Sequence, residues 1–253
     1  MRPPLTRALP DARKLSSARF FTGLGERQIA EVVAAGTRVE KRKGAWFYRQ
    51  GDAATHFYLL EAGWASIHHL APDANDVLLR IMVPFEIFGF RSIDPDGVHV
   101  TSIQAGEDSR CLAWRGPVMR DLLFAHPQLA INAFQIASAH MFQFEIRYKD
   151  LATVPLEKRV ARMLLGLAAQ MGRQEGDVIV LERGILQKDI SQMTGSSVYS
   201  VSRIFAAWNR GGILRRHRGQ IVLRDISSLR RIAAGAIMST AAVGLVDSAY
   251  GVF

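Results

Sequence analysis

The sequence predicts an α+β protein in three parts: an N-terminal antiparallel β double-sheet barrel, a long helix, and a C-terminal winged helix-turn-helix. Three observations carry this reading. Between Thr37 and Trp114, short apolar and aromatic runs alternate with glycine-bearing turns. From Pro127 to Leu151 there is no glycine and no further proline. After Pro155, two short helical patterns meet at Gly195 and lead into an arginine-rich hairpin pattern.

The first part opens with GLGERQIAEVVAAG, an amphipathic helix ending at Gly36. KRKGAWFYRQGDAATHFYLLEAGWASIHHL follows, with Gly44, Gly51-Asp52 and Gly63 as turn points. DVLLRIMV, EIFGF, TSIQA and CLAW continue the strand series. Cys111 lies in the last of these and reads as a small buried hydrophobe.

In the long helix, Ala130, Phe134, Ala137, Met141, Phe144, Tyr148 and Leu151 recur at alternating steps of four and three. That is a heptad row on a helix of roughly 25 residues, about 37 Å long at 1.5 Å per residue. So narrow and long a row is expected to be a dimer seam; the alternative is a helix lying on its own barrel. Thr153-Val154-Pro155 ends it, because the residue before a proline avoids the helical region.

Beyond this break, LEKRVARMLLGLAAQMG is amphipathic and VIVLERG is strand-like. LQKDISQMTG forms one helix and SSVYSVSRIFAAWNRGG the next, with Ser197 as N-cap and Val201, Ile204, Phe205 and Trp208 facing inward. ILRRHRGQIVLRD then folds as a hairpin with HRGQ at its tip. An ordinary αα-corner is the plain alternative, and the hairpin with its local charge argues against it. The expected divisions are 1–126 for the barrel with its N-terminal helix, 127–152 for the long helix, 153–235 for the winged part and 236–253 for an apolar tail.

Charge sharpens the division. Of the net +9, residues 1–150 carry 18 Lys and Arg against 16 Asp and Glu, whereas the remaining residues carry 14 against 7. A basic C-terminal part points to a polyanion, nucleic acid before membrane. The single cysteine excludes a disulfide framework and a four-thiolate metal or iron–sulfur site within one chain. MRPPLTRALPDARKL has no apolar run behind its basic residues, so it does not read as a secretory leader. Ile232–Val246 is too short and too interrupted by Ser239 and Thr240 to span a membrane. A cytoplasmic protein is expected.

These motifs together resemble the Crp/Fnr transcription regulators. The resemblance runs from about Phe20 to Ala233, through KGAWFYRQGD, HFYLLEAGWASI, the IFGF segment, the long helix and KDISQMTGSSVYSVSRIFAAWNRGGIL. It implies a cyclic-nucleotide-binding-like barrel, a homodimer along the long helix, and RNA polymerase as a partner. On double-stranded DNA, recognition helices would enter successive major grooves about 34 Å apart. Val198, Tyr199, Ser202 and Arg203 would then read bases, Arg203 by a bidentate contact to guanine. Gln187, Lys188, Ser197, Arg215, Arg216 and Arg218 would touch phosphates and set register. Many relatives place glutamate where Tyr199 stands, so the family's usual half-site does not carry over.

The candidate effector pocket is Phe88, Gly89, Phe90, His99, Val100 and Thr101. Cyclic-nucleotide-binding relatives follow the glycine with a ribose-binding glutamate and supply an arginine about ten residues later. Here Phe90 follows Gly89, and His99-Val100 stand at the arginine position. A phosphate buried without a cation costs on the order of several kcal/mol, so cyclic AMP is not expected. Haem stays open through His56, His68, His69, His99 and His140. A divergent pocket with an unfamiliar ligand, or none, is the leading expectation. A metal-dependent cupin-type enzyme is the reading from another class. His68 and His69 fall on opposite faces of a strand, however, and no HExxH, GxxxxGK[ST], GxSxG or GxGxxG occurs, so no enzyme is expected. A basic module that binds protein instead of DNA is the third reading.

Overall fold

The structure, a computed structural model, describes residues 15–70, 76–181, 184–217 and 219–234. Contacts divide the chain into two compact units, Met1–Ala65 with Met82–Ala137, and Ser66–Ile81 with Ser138–Phe253.

In the first unit, helix α1 (Glu26–Ala34) starts where Gln28 Oε1 accepts the Gly25 N–H at 2.9 Å. Along the chain eight described strands follow, of which β4 and β5 fall almost wholly in the second unit: β1 (Thr37–Lys41), β2 (Trp46–Tyr48), β3 (His56–Ala62), β4 (Ala65–Leu70), β5 (Asp76–Met82), β6 (Ile87–Phe88), β7 (Ser102–Ala105) and β8 (Ser109–Arg115). They form two four-stranded sheets, ordered β1-β8-β3-β6 and β2-β7-β4-β5. In the first, Thr37 faces Ala113, and His56 faces Arg115, both antiparallel. Alternating inward residues on β3 and β8 build a core of Phe57, Leu59, Leu112 and Trp114 with Phe20, Phe21 and Met119. The Trp114 indole N–H donates to Val32 O at 2.7 Å. A Cβ at Gly36 would stand 2.8 Å from that same ring nitrogen, so the close approach of the tryptophan requires a glycine where α1 ends.

Helix α2 (Gly116–Ala125) leads into α3 (Pro127–Thr153). The N-terminal part of α3 buries Leu129, Ala133 and Ile136 against the barrel core, and Asn132 Nδ2 donates to Phe20 O and Thr22 O at 2.9 and 2.8 Å. Helix-on-barrel packing therefore exists, but on a different face from the heptad row, which stays exposed.

The second unit holds the rest of α3, α4 (Leu156–Met171), β9 (Gly172–Glu175), β10 (Val178–Leu181), α5 (Gln187–Met193), α6 (Val198–Arg210), β11 (Leu214–His217), β12 (Gln220–Leu223) and α7 (Ile226–Ala234). Its sheet runs β11-β12-β10-β9, with Arg216 opposite Ile221. The β4–β5 hairpin residues Ser66–Ile81 group here by contact. Leu78 N–H donates to Gln192 Oε1 of α5 at 3.2 Å, and Arg147 Nη1 of α3 donates to Leu79 O at 3.1 Å. Among the described residues no helix is long and apolar enough to cross a membrane. The apolar segment expected at 236–253 lies outside the described residues.

Candidate functional site

The turn between α5 and α6 is set by local chemistry. Thr194 Oγ1 donates to Ile190 O at 2.6 Å and closes α5. Gly195 takes φ +61°, a left-handed backbone that side chains other than glycine disfavour. A Cβ there would also meet Leu151 Cδ2 at 2.6 Å. Ser197 Oγ then accepts the Ser200 N–H at 3.1 Å and caps α6, satisfying one of its orphan donors.

Helix α6 has two distinct faces. Val201, Phe205 and Trp208 are buried, and the Trp208 indole N–H donates to Glu157 Oε1 at 3.0 Å. On the other face Val198, Tyr199, Ser202 and Arg203 are exposed near the N-terminus, Tyr199 at 72 %. The Arg203 guanidinium lies 6.0 Å from the Tyr199 ring centre. A groove of about 520 Å³ runs beside them, lined by Leu156 and Glu157 of α4 and by Ser200, Arg203 and Arg210 of α6.

Lys188 is exposed at the start of α5, where Gln187 is half-buried. Leu186 N–H donates to Asp189 Oδ2 at 2.7 Å, which secures that end. Arg215 and Arg216 are exposed on β11, and Arg218 lies outside the described residues. The front of α6 and the first wing strand thus both present polar or cationic groups.

Two arginines of α4 that the sequence reading passed over surround the break at Val154-Pro155. Arg159 donates from Nη1 to Val154 O at 2.7 Å and to Leu151 O at 3.5 Å, and from Nε to Thr194 O at 3.1 Å. Arg162 pairs with Asp150 at 2.6 Å, both buried, and donates from Nε to Ala233 O at 3.0 Å. Most of their partners are backbone carbonyls, so sequence pattern offers no signal for them.

The heptad row of α3 is open in the single chain: Phe134 is 73 %, Met141 64 %, Phe144 62 % and Tyr148 71 % exposed, with Ala130 and Leu151 also exposed and Ala137 half-buried.

Rings from β2, β3 and β6 gather with His99 into one aromatic cluster in the barrel. His99, buried, stacks on Tyr48 at 3.4 Å and 4°. Tyr58 stacks on Phe88 at 4.8 Å, and Phe47 meets Phe88 edge-on at 5.3 Å. Burial pushes the Tyr48 hydroxyl up and neighbouring Tyr58 adds to this, while a backbone hydrogen bond from Gly89 pulls it back. Gly89 itself takes φ +81°, and a Cβ there would fall 2.4 Å from His56 O. Burial lowers the His99 pKa against the opposing pull of Asp52.

Of the six pocket residues expected from sequence, Phe88, Gly89 and His99 converge on this stack. Phe90 instead turns to the barrel core, edge-on to Phe57 at 5.5 Å. Thr101 is half-buried, and Val100 faces outward. Tyr48, Tyr58 and Phe47 were missed, since a sheet brings distant strands together without local pattern. His68 Nε2 lies 2.7 Å from Ser66 Oγ. Among the described residues no three His, Cys, Asp or Glu side chains gather as a metal site would need. Cys111 is fully buried on β8, and burial first, then Glu61, pushes its thiol up against the opposing Lys41.

Residues 38–126 match the cyclic nucleotide-binding domain family and residues 158–232 the Crp-like helix-turn-helix domain family. Over 219 residues the chain is 25 % identical to a CRP-like cAMP-activated global transcriptional regulator of Mycobacterium tuberculosis, covering 87 % of this chain and 98 % of that one. The nitrogen fixation regulation protein FixK of Bradyrhizobium diazoefficiens is 23 % identical, with 87 % and 92 % covered. Among solved structures, FixK2 of Bradyrhizobium japonicum superposes with a TM-score of 0.70 at 21 % identity, over 80 % of this chain and 99 % of that one. With a barrel model, a Crp-like helix-turn-helix model and relatives matched over nearly their whole length, the chain belongs to the Crp/Fnr family of transcription regulators and carries their helix-turn-helix DNA-binding domain.

Proposed function

We propose that the chain works in the cytoplasm as a homodimer that binds a two-fold symmetric DNA site without needing a cyclic nucleotide, and that it acts on transcription by contacting RNA polymerase rather than by catalysis. The observation that carries the reading is the division of α6 into a buried apolar back and an exposed front of Tyr199, Ser202 and Arg203. Arg203 there donates a pair of hydrogen bonds to guanine O6 and N7, and Ser202 and Val198 meet neighbouring base edges. Lys188, Arg215 and Arg216, with Gln187 and Ser197, hold phosphates and set register. The exposed heptad row supports the dimer, because seven aligned and largely apolar positions at this spacing suit a partner helix.

The aromatic cluster supports independence from cyclic nucleotide. The mycobacterial relative is cAMP-activated. In this chain the rings of Tyr48 and His99 stack on one another, and burial disfavours the charged form of His99. The test is selection of genomic fragments by the purified protein with no added nucleotide. The reading expects a palindrome with half-sites one helical turn apart, and an affinity that cyclic AMP leaves unchanged. Salt-sensitive binding with no sequence preference would sink it.

A further inference from the structure

Along the chain, the path from the dimer helix to the reading helix runs through the break at Val154-Pro155. A short non-helical break is a natural pivot, and Pro155 has no N–H to hold it. What spans the break is the Arg159 guanidinium. It takes the carbonyls of Leu151 and Val154 at the end of α3 on one side and the carbonyl of Thr194, which caps α5, on the other. A guanidinium offers five N–H groups in a rigid plane, so one side chain can bridge both chain ends and fix their relative direction. Three residues on, Arg162 ties Asp150 of α3 to the carbonyl of Ala233 at the end of α7. The turn at Gly195 sits against Leu151 on the same joint.

We propose that Arg159 is a positioning residue for DNA reading: by bracketing the end of α3 to the end of α5 it fixes the angle between dimer helix and reading helix, and thereby the half-site separation the protein accepts. The proposal rests on the homodimer reading above. One added base pair turns the second half-site by about 34° about the DNA axis. A rigid joint cannot follow that rotation, whereas a loosened one can. Because all three acceptors are backbone carbonyls, the bracket depends on the donor at 159 alone. Lysine keeps the charge there but replaces the planar fork with a single ammonium.

The experiment measures affinity of the full-length wild type and of Arg159→Lys for palindromes whose half-site centres are at the preferred separation and one or two base pairs to either side, with a single half-site as reference. The wild type is expected to discriminate steeply. In Arg159→Lys the penalty for an added base pair shrinks by about two- to tenfold, the equivalent of one lost hydrogen bond, while single half-site affinity holds. An equal loss at every separation, or discrimination as steep as the wild type's, overturns the bracket and leaves the dimer reading standing. A wild type that binds single half-sites but accepts every separation overturns the dimer reading itself. Circular dichroism checks folding; if Arg159→Lys does not fold, Arg159→Gln is read in the same series. Failure of both to fold also overturns the proposal, because Arg159 is then a folding element and not a positioning one.

Discussion

Tyr199 stands where its ring lies under the Arg203 guanidinium, 6.0 Å from centre to carbon. An exposed cation–π contact is worth about 0.5–1 kcal/mol. Arg203→Ala is expected to cost about 1–3 kcal/mol at the base it reads. Tyr199→Ala should lower discrimination at that same base by about two- to fivefold, and Tyr199→Phe, which keeps the ring, should not. Binding to single-base variants of the selected site checks both. His99 makes a different prediction. Burial holds its folded pKa below the ordinary 6.5. The unfolded chain therefore binds more protons between that depressed value and 6.5, and stability falls as pH drops through this window. The melting temperature should accordingly fall between pH 7 and 5.5 more in the wild type than in His99→Phe, which keeps a ring against Tyr48. His56, also lowered by burial and by Arg115, titrates in both proteins and cancels in the comparison. The outward residues of α6 were legible in the sequence because helical spacing alone sorts them. The partners of His99 and Arg159 were not, since Tyr48 is 51 positions from His99 and the acceptors of Arg159 are main-chain atoms.

At the scale of elements, Gly195 is the pivot of the helix-turn-helix. Gly195→Ala should cost about 1–2 kcal/mol for the left-handed backbone, with a further loss from the contact at Leu151. Adding Leu151→Ala to that variant should recover the contact part and not the backbone part, and thermal melting separates the two. The sequence located α5, α6 and the β11–β12 hairpin, where glycine, serine and hydrophobic period agree. It passed over α2 and α7, ten and nine residues long, because so short an apolar pattern does not stand out. It also framed α3 as either seam or barrel support. The helix packs Leu129, Ala133 and Ile136 on the barrel core and leaves the heptad row exposed on a different face.

For the whole molecule, the proposed homodimer is tested at the open row on α3. Phe144→Glu introduces like charges across the two-fold axis and removes two large apolar contacts, so the dimer dissociation constant should rise on the order of a hundredfold or more. Sedimentation at falling concentration would show the shift, and affinity for the palindrome should decline with it. Ser66–Ile81, which the sequence assigns to the barrel, packs by contact with the C-terminal unit through Gln192 and Arg147. Local pattern cannot reveal that grouping, because it rests on a main-chain N–H and a main-chain carbonyl of one hairpin.

The chain's one thiol, Cys111, lies at the centre of β8 between Val39 of β1 and Leu60 of β3, with no exposure and with burial opposing its ionisation. Thiolate is the reactive form, so a thiol reagent reaches it only when those strands part. The molecule therefore carries its own clock: with reagent in excess, the rate of colour release reports the opening rate of the barrel, free of any second thiol and without an added label.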